Sequence, residues 1–386
     1  MSRLKIVHAA KFYPPVRGGM ERMLGDICGG TSQEWDVRVV AANDRGTTVT
    51  ERVDDVDVVR AGALTTAHSV PLCPSMPRHL WAQRADCLVL HEPNPVAGSA
   101  LFLHMPAPRF VIWHHSDLVR PWWAPHTYGR VQRALYRRAD CVIVSSPALP
   151  AQSPLVACAQ RVAVIPFGVA LERYRRADAA RRSRIAEIRA GVPGPHVLFV
   201  GRLVYYKGVE ILIHAMARCP GTLTIVGTGP LEPSLREAAV RHGVADRVRF
   251  AGTVPEEDLP AHYQACDLFV LPSIARTEAF GIVQIEAMAA GAPVVSTNLP
   301  TGVPWVNQHG VTGLVVPPGD AVALAEAMRD LLENPTRRET LGAQASRRAD
   351  RLFSRDRMIA SFRSLIETTV RTPERLEEYL VGEAPA

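Results

Sequence analysis

Short apolar runs, each followed by a stretch with helical spacing, recur along the whole chain, and this alternation leaves few folds open. In the first half the runs are Leu4–His8, Val37–Ala41, Cys87–Leu90, Arg109–Trp113, Cys141–Val144 and Val162–Ile165. A second series starts afresh at Val197–Val200 and continues through Leu223–Val226, Val248–Phe250, Leu268–Leu271, Pro293–Val295 and Gly313–Val316. Apolar strands separated by helices are the mark of βαβ units, whose parallel sheets are covered on both faces. With 386 residues the chain is long enough for two cores. It is read as an α/β protein with two doubly wound sheets.

The join is placed near residues 170 to 195. Glu172 through Asp178 is densely charged and Gly191-Val-Pro-Gly-Pro195 is rich in breakers, which suits a connection between domains. The expected division is an N-terminal domain over 1–175, a second over 190–353 and terminal helices over 354–386. From Ala321 the pattern is helical almost throughout, and residues 354 to 370 have the spacing of one long amphipathic helix.

The seven cysteines stand singly, with no C-x-x-C pair, which fits buried thiols in a reducing compartment. The N-terminus runs from Ser2-Arg3-Leu4-Lys5 into a strand without a preceding apolar region, and no apolar run nears the roughly 20 residues of a membrane span. A cytoplasmic chain is expected, with the inner face of the cell membrane as a peripheral station. The net charge of +6 is concentrated in residues 1 to 180, with 21 Lys+Arg against 15 Asp+Glu. No nucleic-acid motif accompanies it. The clusters Arg120-Pro-Trp122-Trp123 and Arg130 to Arg138 mix cations with aromatics, which fits contact with an anionic membrane as well as it fits a solvated helix face.

Two glutamates bracket Glu278-Ala-Phe-Gly-Ile-Val-Gln-Ile-Glu286, between an apolar strand and a helical run. If Gly281 opens the helix, Glu278 lies in the loop and Glu286 about a turn and a half in, roughly 8 Å of rise apart at about 1.5 Å per residue. Carboxylates so far apart do not share a proton. They can accept hydrogen bonds from the two ends of an extended ligand, a sugar and a ribose, with free helix N–H groups facing a phosphate between them. A pair of first-turn charges is the plainer reading of the same spacing. Strand Val197–Val200 leaves into Gly201-Arg202-Leu203-Val-Tyr-Tyr-Lys207-Gly208. Lys207 is one of three lysines among 44 basic residues, and Arg202 with Lys207 offers a fork and a point charge for a diphosphate. Gly18-Gly19 follows the first strand and precedes a helical pattern, so backbone amides there can approach an anion. Gly227-Thr-Gly229 lacks the third glycine of a dinucleotide loop and is read as a tight turn lining the cleft.

With Glu278-Ala-Phe-Gly, Glu286-Ala-Met-Ala-Ala-Gly-Ala-Pro-Val-Val and Thr301-Gly-Val-Pro-Trp-Val-Asn307 the chain resembles the retaining glycosyltransferases of family 4, most closely bacterial mannosyltransferases of surface polysaccharide. The resemblance implies the GT-B fold, two Rossmann-like domains facing a cleft, with a last helix crossing back to the N-terminal domain. It implies a nucleotide-sugar donor, with GDP-mannose preferred, a saccharide or polyprenyl-diphosphate-linked saccharide acceptor, no nucleic acid and no metal. Gly18, Gly19, Arg202 and Lys207 would bind the diphosphate, and Glu278 with the backbone of Phe280 and Gly281 would bind the hexose. Glu286 would bind the ribose and Val254 the base. His115, ending the strand Val111-Ile-Trp-His-His115, would act beside the sugar, with His114 packed inward and His91 to Pro95 on the acceptor side. Asp55-Val-Asp57 looks like the metal motif of another glycosyltransferase fold but lies far from these segments.

Retaining transfer is expected to run as a front-face substitution in which the departing diphosphate takes the acceptor proton, with closure of the lobes excluding water. Replacing Glu278 or Lys207 by alanine is expected to abolish transfer and leave the fold intact. The rival readings are a transferase using UDP-glucose or UDP-N-acetylglucosamine, an epimerase of the same fold that releases UDP, and a catalytically silent subunit that binds nucleotide sugars.

Overall fold

The structure is a computed structural model that describes residues 3–16, 18–67, 70–117 and 128–379. The cluster Arg120-Pro-Trp122-Trp123 and the loop residue Arg17 lie outside the described residues. The chain forms two compact units, one built from residues up to Phe167 together with those from Arg355 onward, the other from Gly168–Ser354.

The first unit holds strands β1 (Lys5–Ala9), β2 (Asp36–Ala42), β3 (Val49–Val53), β4 (Val56–Ala61), β5 (Thr65–Ala67), β6 (Val70–Leu72), β7 (Cys87–Glu92), β8 (Arg109–His114), β9 (Cys141–Val144) and β10 (Val162–Val164). Eight of them form one sheet in the order β10-β9-β8-β7-β1-β2-β4-β3, while β5 and β6 make a separate hairpin. All pairs in the large sheet are parallel except β3 with β4. The antiparallel edge departs from the expected all-parallel sheet. Its cause is the turn at Asp54 and Asp55, whose φ of 45° and 65° suit short polar side chains. Asp57 lies on β4, and Arg38 and Arg52 approach its carboxylate at 3.8 and 3.9 Å. The Asp-x-Asp segment is thus hairpin chemistry.

One face of this sheet packs Val7, Leu88, Leu90, Ile112 and Val142 against flanking helices that include Pro95–Leu103 and Gly129–Arg138. The former starts at Asn94, whose side chain accepts from Ala97 N at 3.2 Å ahead of Pro95. On the other face the helix Arg355–Arg371 lies against the helix Gly19–Thr31. Its Phe362 is fully buried, with ring centroids 5.4 Å from Trp113, 5.7 Å from His8 and 6.2 Å from Trp35. This chain-terminal helix is therefore part of the first unit's core.

The second unit holds β11 (His196–Val200), β12 (Thr222–Val226), β13 (Val248–Gly252), β14 (Leu268–Leu271), β15 (Val294–Thr297) and β16 (Gly313–Val316), all parallel, in the order β13-β12-β11-β14-β15-β16. The strand order reverses between β11 and β14. In open α/β sheets the carboxyl ends on either side of such a reversal form the crevice that takes ligands. In the first unit the corresponding point lies between β1 and β7.

The segment expected to join the domains belongs to the second unit. It forms the helices Glu172–Arg175 and Ala179–Ala190, the latter capped by the Asp178 carboxylate on Arg181 N at 2.8 Å. Arg189 then grips the Asp267 carboxylate with two bonds of 2.8 and 3.0 Å, and the same carboxylate accepts from His196 N at 2.7 Å. A charged composition that reads as a linker here serves a fork that ties the helix to the starts of β11 and β14. Among the described residues no helix is long and apolar enough to cross a membrane.

Candidate active site

In the second unit, the loops after β11 and β14 meet at the reversal of strand order. The β11 loop runs through Gly201 and Arg202 into a 3-10 turn, Tyr205–Lys207, and turns at Gly208 with φ 65°. A Cβ on Gly208 would stand 2.1 Å from the carbonyl oxygen of Pro272, the residue after β14, so only glycine lets the two loops come this close. There Lys207 Nζ lies 2.6 Å from Glu278 Oε2. Both residues are buried, and Glu278 Oε2 also accepts from Ser273 Oγ at 2.9 Å. Burial pulls the Lys207 ammonium down, but the adjoining Glu278 carboxylate outweighs it and holds Lys207 above the ordinary lysine range. The sequence had assigned the two residues to separate ligand groups, whereas the fold joins them in one ion pair.

Arg202 differs from Lys207. It is exposed, and its guanidinium makes no ion pair among the described residues. Its loop is buttressed by the Gly227-Thr-Gly229 turn. A Cβ on Gly227 would meet Gly201 O at 2.1 Å, and one on Gly229 would meet Leu203 O at 2.4 Å.

Glu286 lies in the helix Ile282–Ala289, which begins after Gly281 at φ 72°. Tyr263 donates its hydroxyl to Glu286 Oε2 at 2.7 Å, and both side chains are buried. That bond was not visible in the sequence, because Tyr263 lies on a different helix, Leu259–Ala265. Phe280 is 2% exposed and packs near Trp305 and Phe353, so only its backbone can meet a ligand. Gly302 N donates to Ala279 O at 2.8 Å, which joins this loop to the 301–307 segment. Asn307 closes that segment, with Nδ2 near Val294 O, Ser296 Oγ and Leu314 O at 2.9 to 3.1 Å. Val254 is half-buried just beyond β13.

In the first unit, Gly18 precedes the helix Gly19–Thr31, and the buried carboxylate of Glu21 in the first turn lies against it, so close that a Cβ on Gly18 would stand 2.0 Å from Glu21 Oε2. Arg60 Nη1 donates to Tyr13 O at 3.0 Å in the preceding loop. His115 follows β8 and is buried, as is His114. The two diverge as neighbours on a strand must. His114 Nδ1 meets Tyr136 Oη at 2.6 Å, whereas His115 stacks on His91 with centroids 5.3 Å apart. Glu92, in the segment read as acceptor-side, is fully enclosed. It accepts from Tyr128 Oη at 2.6 Å, Asn94 N at 3.0 Å and Gln132 Nε2 at 3.1 Å, a clamp that orders the loop after β7. Burial pushes this carboxyl up, with those three donors opposing the shift.

Breaking a buried pair from one side leaves an uncompensated charge, so a change of Glu278 or Lys207 is expected to cost stability, where the sequence reading expected alanine to leave the fold intact. Lys207→Met and Glu278→Gln should each destabilise the protein by roughly 3 to 5 kcal/mol. The double variant should recover part of the summed loss in urea unfolding, and strict additivity would show that the pair is not coupled. The buried histidines make a second prediction. Burial pushes His8 and His115 down to about 3 and His114 to about 4, the last opposed by Asp117. The unfolded chain binds these protons near pH 6.5 and the folded chain does not, so stability falls as pH drops through that value. The slope is up to roughly 1.4 kcal/mol per pH unit for each ring. A urea midpoint unchanged between pH 7.5 and 5.5 would contradict neutral buried rings.

Two family profiles match the chain. Residues 18–168 match the glycosyl transferase 4-like domain, and residues 183–348 match the glycosyl transferases group 1. The O-antigen chain mannosyltransferase C of Escherichia coli is 31% identical over 377 residues, 96% of this chain and 100% of that protein. The GDP-mannose-dependent alpha-(1-6)-phosphatidylinositol monomannoside mannosyltransferase of Mycobacterium tuberculosis is 32% identical over 369 residues, covering 89% and 92%. Among solved structures, Anabaena HepE in complex with UDP aligns with a TM-score of 0.76 at 25% identity, covering 95% of this chain and 100% of that one. Two doubly wound units, loops converging at the strand-order reversals and these matches together lead to one assignment: the chain belongs to glycosyltransferase family 4, with the GT-B fold.

Proposed function

We propose that this glycosyltransferase moves mannose from GDP-mannose, with retention and without a metal, onto a saccharide carried by a lipid diphosphate in the building of a surface polysaccharide or glycolipid. The observation that carries the reading is the Lys207–Glu278 pair on the same loop system as the exposed Arg202, which makes no ion pair among the described residues. An ammonium has three N–H donors and Glu278 takes one, which leaves two for phosphate oxygens, while Arg202 adds a fork and the net positive charge. The choice of mannose is supported by the likeness to the O-antigen and the phosphatidylinositol monomannoside mannosyltransferases.

In this reading the bond from the sugar's C1 to the phosphate oxygen breaks, and its electron pair leaves on that oxygen. The acceptor hydroxyl bonds to C1 on the same face and gives its proton to the departing diphosphate. Arg202 and Lys207 stabilise the charge that develops there. Glu278 orients Lys207 and, with the backbone at Phe280 and Gly281, the hexose, while Glu286, oriented by Tyr263, takes the ribose and Val254 meets the base. Gly18, Gly19 and His115 of the first unit keep the diphosphate and sugar roles that the resemblance implied.

A peripheral station on the cytoplasmic face of an anionic membrane is supported by the first unit's surface. On the helix Gly129–Arg138, Arg130, Arg133, Arg137 and Arg138 are all exposed and no acidic residue accompanies them. The adjoining helix Pro95–Leu103 exposes Phe102 and Leu103, the latter at 74%. Exposed apolar side chains and exposed cations on two packed helices suit the boundary between headgroups and acyl chains.

The donor is tested by thermal unfolding with GDP, UDP or ADP, each with and without EDTA. GDP at a hundredfold excess over its Kd should stabilise the protein by about 2.7 kcal/mol, insensitive to EDTA, and Arg202→Ala should lose most of that shift. Stabilisation by UDP alone would instead favour UDP-glucose or UDP-N-acetylglucosamine, in line with the UDP complex of HepE. The membrane reading predicts that the triple change of Arg130, Arg133 and Arg137 to Gln weakens co-sedimentation with phosphatidylglycerol vesicles, by about 1 kcal/mol per cation. Unchanged sedimentation would remove it.

A further inference from the structure

The helix Pro335–Leu352 of the second unit ends with three arginines, Arg347, Arg348 and Arg351, that make no ion pair among the described residues. The other charges of this helix are matched. Arg337 Nη1 lies 2.7 Å from Asp330 Oδ2, Arg338 Nη2 lies 3.8 Å from Asp267 Oδ1, and the Asp350 carboxylate is engaged by Arg175. With Gln308, Thr312 and Gln344 the three arginines line a hollow of about 260 Å³, and its wall contains no acidic residue.

The three differ in depth. Arg348 is 7% exposed, whereas Arg347 and Arg351 are exposed. Arg348 Nε donates to Val306 O at 3.2 Å and Nη2 to Trp305 O at 2.7 Å, and the guanidinium stands 5.3 Å from the Trp305 ring centroid and 5.7 Å from that of Phe353. Its Nη1 makes no hydrogen bond among the described residues. Arg347 has only a long bond from Nε to Ala343 O, at 3.4 Å on its own helix. Burial lowers Arg348 to about 10, and the like charge of Arg351 adds to the fall. A helix C-terminus favours a nearby cation, and Arg348 has two carbonyls to hold, but neither accounts for two further guanidiniums at the same mouth. An anion entering the hollow would relieve both the repulsion and the lost hydration.

We propose that this hollow binds a small soluble molecule bearing a phosphate group, with Arg348 at its floor and Arg347 and Arg351 at its rim. A phosphate monoester carries a charge of about −1.5 to −2 at pH 7 and three acceptor oxygens, which guanidinium forks are shaped to meet. Gln308 and Gln344 offer amides to whatever the phosphate is attached to. The volume lies just under the roughly 300 Å³ at which clefts for larger ligands begin, which favours a metabolite of few atoms over a nucleotide. Val311 is the only apolar residue of the wall, so the hollow has nothing to enter acyl chains and a lipid headgroup is the poorer occupant. None of the wall residues is among those assigned above to the nucleotide sugar. Occupancy is felt at Trp305, because Arg348 holds its carbonyl and stacks near its ring.

The test titrates full-length protein labelled with nitrogen-15 with inorganic phosphate, against sodium chloride at equal ionic strength, and follows the indole N–H resonance of Trp305, assigned with Trp305→Phe. Phosphate should move that resonance to saturation and chloride should not. The double change Arg347→Gln with Arg351→Gln alters only exposed side chains and should weaken the phosphate Kd roughly tenfold or more, since bonds between charged partners are the strong ones. Thermal unfolding needs no assignment and gives a second reading: phosphate should raise the midpoint of the wild type and leave that of the double variant in place. An equal response to chloride, or a double variant that binds phosphate as tightly as the wild type, would overturn the proposal. Phosphate can also enter the site of the proposed function, so Arg202→Ala is the control. It should leave the Trp305 titration unchanged, and a titration lost in Arg202→Ala would show that phosphate acts through that other site and overturn the separate one. Co-sedimentation with phosphatidylglycerol vesicles should be the same for the double variant and the wild type, and a weaker sedimentation would overturn the soluble ligand in favour of a lipid phosphate.

Discussion

The ion pair between Lys207 and Glu278 is the constraint around which the second unit is arranged. Its two residues come from loops on either side of the only reversal of strand order in the described sheet, 71 positions apart in the chain. For the charges to meet, the loops must pass at backbone distance, which Gly208 permits against Pro272 O. Removing the pair from water is costly, and the cost is offset only by close geometry and by the added Ser273 hydroxyl. Such an arrangement is poor evidence for stability gained and better evidence for a charge held in place for use.

The first unit solves a different problem with neutral groups. Its buried face stacks Trp113, His91, His115 and Phe362, and the polar edges of the imidazoles are matched to one another instead of to water. The helix Arg355–Arg371 closes that face although it is the last long element of the chain, and residues 168–354 separate it along the sequence from the strands it covers. Folding of the first unit therefore depends on contacts of large sequence separation, such as Trp35 with Phe362 and Gly30 O with Arg363. The enclosed Glu92, held by Tyr128, Asn94 and Gln132, orders the β7 loop at the same edge.

Much of the architecture was legible from one-dimensional pattern. Each anticipated strand lies within two residues of an observed one, since strands buried on both faces must be apolar runs whatever their neighbours are. The hairpin of β3 and β4 was less visible, because four of the five residues of β3, an edge strand, are exposed and carry no apolar signature. The charged segment before residue 191 misled for a related reason: Arg189 looks like a surface cation until Asp267 is placed opposite it.

At the site, pattern along the chain gives the inventory: one of only three lysines in an arginine-rich chain, two glutamates eight positions apart, glycines at strand ends and a histidine ending a strand. Those signals are local, since they depend on residue type and on spacing along one loop or one turn. Only the tertiary structure decided the partnerships. Lys207 with Glu278, Tyr263 with Glu286, and His8 with His91 and His115 are joined by strand order and loop approach. The physical reason is that charge pairing, carboxylate orientation and imidazole tautomer are set by distances of about 3 Å between atoms far apart in the chain, and pattern along the chain does not encode which loop ends adjoin.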